Sequence, residues 1–126
     1  MTQGSGTPAP GTYISPEARD TMDRLTPGEL GRAVGAFVAA GQDGIGGTAA
    51  AVAVAASLPG MTAAQALPLV SVPEVPEGYD AGEFSWYGPA SPLSFPGILA
   101  YTQGWPQGAM DELREGVGEG KAAYGS

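Results

Sequence analysis

The sequence predicts a mainly α-helical chain interrupted by extended, Pro/Gly-rich segments. Two helix-start signatures predict it, Ser15-Pro16-Glu17 and Thr26-Pro27-Gly28-Glu29, together with an uncharged Ala/Val run from Ala49 to Leu58. A small α+β fold is the alternative, because two runs in the second half have strand-like composition.

Taken in order, residues 1–14 carry no charge and are punctuated by Gly4, Gly6, Pro8, Pro10 and Gly11, which reads as an extended arm. Ser15 then suits an N-cap, Pro16 the first helical position and Glu17 the positive first turn. The helix predicted over 16–25 sets Ala18, Met22 and Leu25 on one face. Thr26 and Glu29 form a capping box that starts a helix over 27–41. Its stripe is Leu30, Val34, Phe37 and Val38. Gly31 and Gly35 lie four apart on a neighbouring face, where another backbone can come close. The segment 42–47 reads as a loop, and Thr48 as the cap of a third helix over 49–58. That helix is Ala/Val on every side, so it is expected to be enclosed or packed against a neighbouring chain.

Beyond Pro59 the character changes. Thr62 and Gln65 predict one short helical turn ahead of Pro68, and Pro68, Pro73 and Pro76 each bias the residue before them toward extended backbone. Short edge strands are expected at 84–87 (FSWY) and 97–102 (GILAYT). A last helix is predicted over 106–117, with Met110, Leu113 and Val117 on one face and Gly116, Gly118 and Gly120 loosening its end. The organisation is one domain in four parts: an arm (1–14), a helical region (15–58), an irregular Pro- and aromatic-rich region (59–110), and a C-terminal helix and tail (111–126).

Composition then narrows the function. The chain has 126 residues, with 21 Gly, 12 Pro, no Cys and no His. Alanine removes little apolar area from water and ordered glycine costs backbone entropy, so such a chain gains stability from partners. The lack of Asn, with a single Lys, has the look of a GC-rich genome, an actinobacterium or one of its phages. A formal charge of -8 with 5 basic residues argues against nucleic acid and against anionic membrane surfaces. The run 49–58 is about half a bilayer span, so a membrane is not expected as a partner. The N-terminus has neither a basic nor an apolar stretch, so no signal peptide is expected. Without thiols or imidazoles, the usual nucleophiles and metal ligands are missing, and no enzyme activity, cofactor or metal is expected.

Three motifs call for weighing. Gly44-Ile45-Gly46-Gly47-Thr48-Ala49 has the G-x-G-x-x-A pattern, but a helix precedes it and Gly47 stands at the phosphate-loop lysine position, so an interhelical loop is the expectation. Glu74, Glu77, Asp80 and Glu83 recur every third residue and would line one edge of a polyproline II segment, an acidic edge suited to solvent or a basic partner. Their spacing is not that of an EF-hand Ca²⁺ loop. The aromatics of 84–105 are expected in a core or subunit interface. The candidate interface residues are Val34, Phe37, Val52, Val54, Phe84, Trp86, Tyr87 and Trp105.

These readings converge on a non-catalytic structural subunit of a large assembly, in particular a phage virion protein such as a minor capsid, decoration or tail component. Its partners are expected to be other protein subunits in multiple copies. It would be located in the virion, or in the cytoplasm if no phage is involved. The alternatives are a small glycan- or peptide-binding module using the aromatics of 84–105, and an accessory subunit of a membrane complex.

Overall fold

The computed structural model describes residues 14–72 and 91–124. Among them lie six helices and no strand: α1 (Pro16–Asp23), α2 (Pro27–Gln42), α3 (Gly47–Ala56), α4 (Ala63–Val70), α5 (Phe95–Tyr101) and α6 (Gln107–Tyr124). The mainly α class holds. The α+β alternative finds no support there, since 97–101 is helical with Thr102 as its C-cap, and the run 84–87 falls outside the described residues.

The local start signals work as read. Ser15 Oγ accepts from the Ala18 N–H at 3.2 Å, with Pro16 in the first turn. Both halves of the α2 capping box form: Glu29 N–H donates to Thr26 Oγ1 at 3.1 Å, and Thr26 N–H to Glu29 Oε1 at 2.9 Å. α2 ends at Gln42, one residue past the expected Gly41, and Gly44 sets the stop. Gly44 has φ 77° and donates to the Gly41 carbonyl, while Ile45 N–H reaches back to the Ala40 carbonyl. That is a Schellman close, which needs a left-handed residue and so favours glycine. The glycine-loop motif is thereby accounted for as a helix terminus. It turns α3 back along α2, and Gly46 rather than Thr48 caps α3, with no side-chain bond.

Two expectations fail for identifiable reasons. Pro68 does not end a turn; α4 starts on the Thr62/Gln65 capping box and runs through Pro68 to Val70. The missing N–H would have donated to Ala64, so one bond is lost, while Ala66 N–H to the Thr62 carbonyl and Ser71 N–H to the Leu67 carbonyl hold either side. The strand expected at 97–102 is α5, because Ser94 caps it by accepting from the Gly97 N–H and Pro96 sits in its first turn. This is the Ser15-Pro16 device again.

The third correction concerns the C-terminus. Instead of stopping near Val117 and loosening, α6 runs to Tyr124. Gly116 and Gly120 are buried, and Gly118 between them is exposed. A Cβ on Gly116 would overlap the Gly28 carbonyl oxygen, and one on Gly120 the Arg32 carbonyl oxygen. In return, a Cβ on Gly31 would overlap the Leu113 carbonyl and one on Gly35 the Val117 carbonyl. The two backbones are therefore in mutual contact, with glycine Cα hydrogens facing carbonyls of the other helix. Contacts of that kind contribute about 0.5–1 kcal/mol each. The close approach expected at Gly31 and Gly35 is made by α6.

Polar contacts fix the direction of this seam. Gly28 N–H donates to Glu112 Oε2 at 3.1 Å, Arg32 Nε to Glu119 Oε1 at 3.1 Å, and Tyr124 OH to Asp43 Oδ2 at 3.0 Å. Both partners rise in number together, so α2 and α6 run parallel. Residues between them must carry the chain back to the start of α2.

The core is thin in large side chains. Met22, Leu30, Leu69, Leu93, Val54 and Pro92 are the largest that are fully buried, and Ala18, Ala33, Ala36, Ala40, Ala50, Ala51 and Ala66 fill much of the rest.

Candidate interaction faces

Charge divides the described residues by element. Every charged side chain among them lies in 17–43 or 111–121, on α1, α2 and α6 or just past the ends of α1 and α2. α3, α4 and α5 carry none. All the exposed large apolar side chains, Val52, Leu67, Val72, Phe95 and Leu99, sit on or beside those three helices.

The outward aim of α5 follows from one glycine. Gly97 is buried, and a Cβ there would stand 2.6 Å from the Ser91 carbonyl oxygen. Residues two apart in a helix point about 200° from each other. Seating Gly97 on the Ser91–Pro92 turn therefore throws Phe95 and Leu99 to the opposite side. Phe95 is 76% exposed and Leu99 44%. The turn itself is pinned to α4 by Leu93 N–H to the Leu69 carbonyl at 3.2 Å and by Ser91 Oγ to the Val70 carbonyl at 2.7 Å.

At its other end α5 is tied to α1. Tyr101 OH donates to Asp23 Oδ1 at 2.5 Å, and the Arg19 guanidinium lies 5.5 Å from the Tyr101 ring centroid. Trp105 meets the Tyr101 ring edge-on, with centroids 5.8 Å apart. Partial burial, and then the bond to the Asp23 carboxylate, raise the Tyr101 pKa well above the ordinary phenol value.

A second apolar feature lies where α2, α3 and α6 meet. Ala36, Val52, Ala53, Ala56, Ala123 and Tyr124 line a groove of about 250 Å³, with Ser57 its other polar member. Most of its lining is alanine, with the Tyr124 ring the largest side chain. A smaller hollow of about 170 Å³ lies between α1, the start of α2 and the start of α4. Its carboxylate, Glu29, and its amide, Gln65, are both engaged in capping boxes.

The candidate interface residues separate accordingly. Val54 is fully buried and Val34 nearly so, both within the chain's own core. Phe37 and Trp105 are half-buried and packed against that core. Val52 is 53% exposed and lines the groove. The helix carrying it is not enclosed on every side by the described residues. Phe84, Trp86 and Tyr87, and the acidic edge Glu74, Glu77, Asp80 and Glu83, lie outside the described residues. Phe95 and Leu99 escape the reading of the sequence because GILAYT has the composition of a strand. The Ser94-Phe95-Pro96 cap is the signal that sets them on a helix.

Among the described residues no group of His, Cys, Asp or Glu is placed to hold a metal ion, and no helix is long and apolar enough to cross a membrane. Comparison with family models, curated proteins and solved structures returns no match for this chain.

Proposed function

We propose that the protein is a non-catalytic structural subunit of a larger protein assembly, with a phage virion component (minor capsid, decoration or tail) as the setting its composition suits best. One observation carries the reading: alanine fills much of the interior while Phe95 stands 76% exposed on an uncharged helix. A chain this short of large apolar residues gains most by burying that ring against another protein, since full burial of a phenylalanine contributes about 1.5–3 kcal/mol. Exposed apolar surface of this kind marks contact sites.

The test is co-expression of the full chain with the products of its neighbouring genes. The reading expects a stoichiometric complex that survives gel filtration and is lost on Phe95→Ser. A chain that joins no such product, and whose tryptophan fluorescence is quenched by a glycan, would overturn it in favour of a binding module.

A further inference from the structure

We infer that α6 is a releasable arm: it leaves α2 as one unit, unfolding as it goes, while α1 to α5 keep their shape, in the single chain and without a partner.

α6 sits at the edge of the molecule's packing. It lies along α2, and no other helix among the described residues meets it closely. The largest fully buried side chains, Met22, Leu30, Leu69, Leu93, Val54 and Pro92, all belong to the rest of the chain. α6 contributes Leu113 to the interior, with Met110 and Val117 half-buried beside it. Its departure therefore opens one side of α2 and leaves the common core of α1 to α5 largely filled.

The helix is also a poor one by itself. Gly116, Gly118 and Gly120 stand close together within it. Each glycine in a helix interior lowers the helix-forming equilibrium roughly four- to fivefold against alanine. Even alanine-rich helices are marginal alone below about 12–15 residues, so an 18-residue helix with this run of glycine does not stand unsupported. Yet Gly116 and Gly120 are required where they are, because a Cβ at either would overlap the Gly28 or the Arg32 carbonyl. The residues that let α6 dock are those that keep it from standing alone. Docking and folding become a single event, which makes α6 one cooperative unit.

Its attachments match. The ties from Gly28 to Glu112, Arg32 to Glu119 and Tyr124 to Asp43 are exposed to solvent, where water replaces such bonds at little cost. The first turn of α6 carries no acid to hold its start. Just upstream, Trp105 rests edge-on against Tyr101, which is bound to Asp23 of α1. The chain is fixed there and exposed at Pro106, Gln107 and Gly108, which places the hinge. Release bares the face of α2 that carries Gly31 and Gly35, and takes Ala123 and Tyr124 out of the groove between α2, α3 and α6.

The experiment is native-state hydrogen exchange of the full chain, followed by NMR in low urea, for the wild type and two variants. The amides of α6 are expected to share one opening equilibrium, with protection about tenfold or more below that of the inner amides of α2 and α4. Their urea dependence should be smaller than that of global unfolding, because less surface is exposed. Val70→Ala thins the core at α4, away from the arm. It should lower protection in α2 and α4 about tenfold and leave that of α6 unchanged, since the core is intact both before and after the arm opens. Gly120→Ala acts at the seam and should lower protection in α2, α4 and α6 together, by about fivefold or more. Val117→Ala serves as a second seam variant if Gly120→Ala does not fold.

Protection in α6 that falls with that of α2 and α4 in Val70→Ala overturns the inference, because the arm would then open only when the whole chain unfolds. Protection that declines steadily toward Tyr124 overturns it too, being the mark of fraying. So does protection in α6 equal to that in α4.

Discussion

The α2–α6 pair and the α3–α5 group solve the problem of small residues in opposite ways. Between α2 and α6, glycine lets two backbones meet, and Gly31, Gly35, Gly116 and Gly120 interleave with carbonyls of the facing helix. The outer faces of these helices carry charge and are finished against water. Across α3, α4 and α5, alanine shares the inner side with Val54, Leu69 and Val70, while Phe95 and Leu99 face outward. Cohesion from backbone contact frees side chains for use elsewhere. A chain poor in leucine and isoleucine can then hold itself together and still present apolar surface.

The largest effect should come from the shared interior. Leu69 is fully buried and its carbonyl receives the Leu93 N–H, which joins α4 to the turn before α5. Leu69→Ala is expected to cost about 2–5 kcal/mol, read by urea unfolding. A smaller loss would mean that the thin core collapses around the gap.

The seam is tested by a matched pair two residues apart. Gly120→Ala forces a methyl onto the Arg32 carbonyl, and overpacking of this kind costs about 1–3 kcal/mol. Gly118→Ala meets nothing within 4 Å and should stabilise by about 0.5–1 kcal/mol, since alanine is the better helix former. Opposite signs would establish which face of α6 meets α2; equal signs would break the comparison.

The link between α1 and α5 has a pH signature. Tyr101 binds its proton more tightly folded than unfolded, because of burial and the Asp23 carboxylate. Its contribution is therefore complete below the unfolded pKa near 10 and is lost as pH rises beyond it. Tyr101→Phe should cost about 1 kcal/mol at neutral pH, the bond being partly solvated, and should flatten the alkaline fall in stability. Thermal melts from pH 8 to pH 11 check it.

How much of this was legible depends on range. Ser15-Pro16, the Thr26/Glu29 box and the Thr62/Gln65 box are local devices, and each marked its helix. Pro68 misleads because a single missing N–H looks like a stop, although bonded residues on both sides carry α4 through it. GILAYT misleads because its composition suits a strand, while the cap that makes it helical lies just ahead, at Ser94. Gly116, Gly118 and Gly120 are indistinguishable by type. Only the facing helix, some 85 residues earlier, assigns two of them inward. The spacing of four, shared by Gly31/Gly35 and Gly116/Gly120, was the one visible hint of that pairing. The outward ring on α5 was out of reach for the same reason, since it depends on Gly97 resting against the Ser91–Pro92 turn.

The smallest effect tests the account most directly. Thermal unfolding of Phe95→Ser, in solutions dilute enough to be monomeric, should give the wild-type midpoint, because the ring stands in water in the single chain. A destabilisation of about 3–5 kcal/mol, as for a buried aromatic, would contradict it.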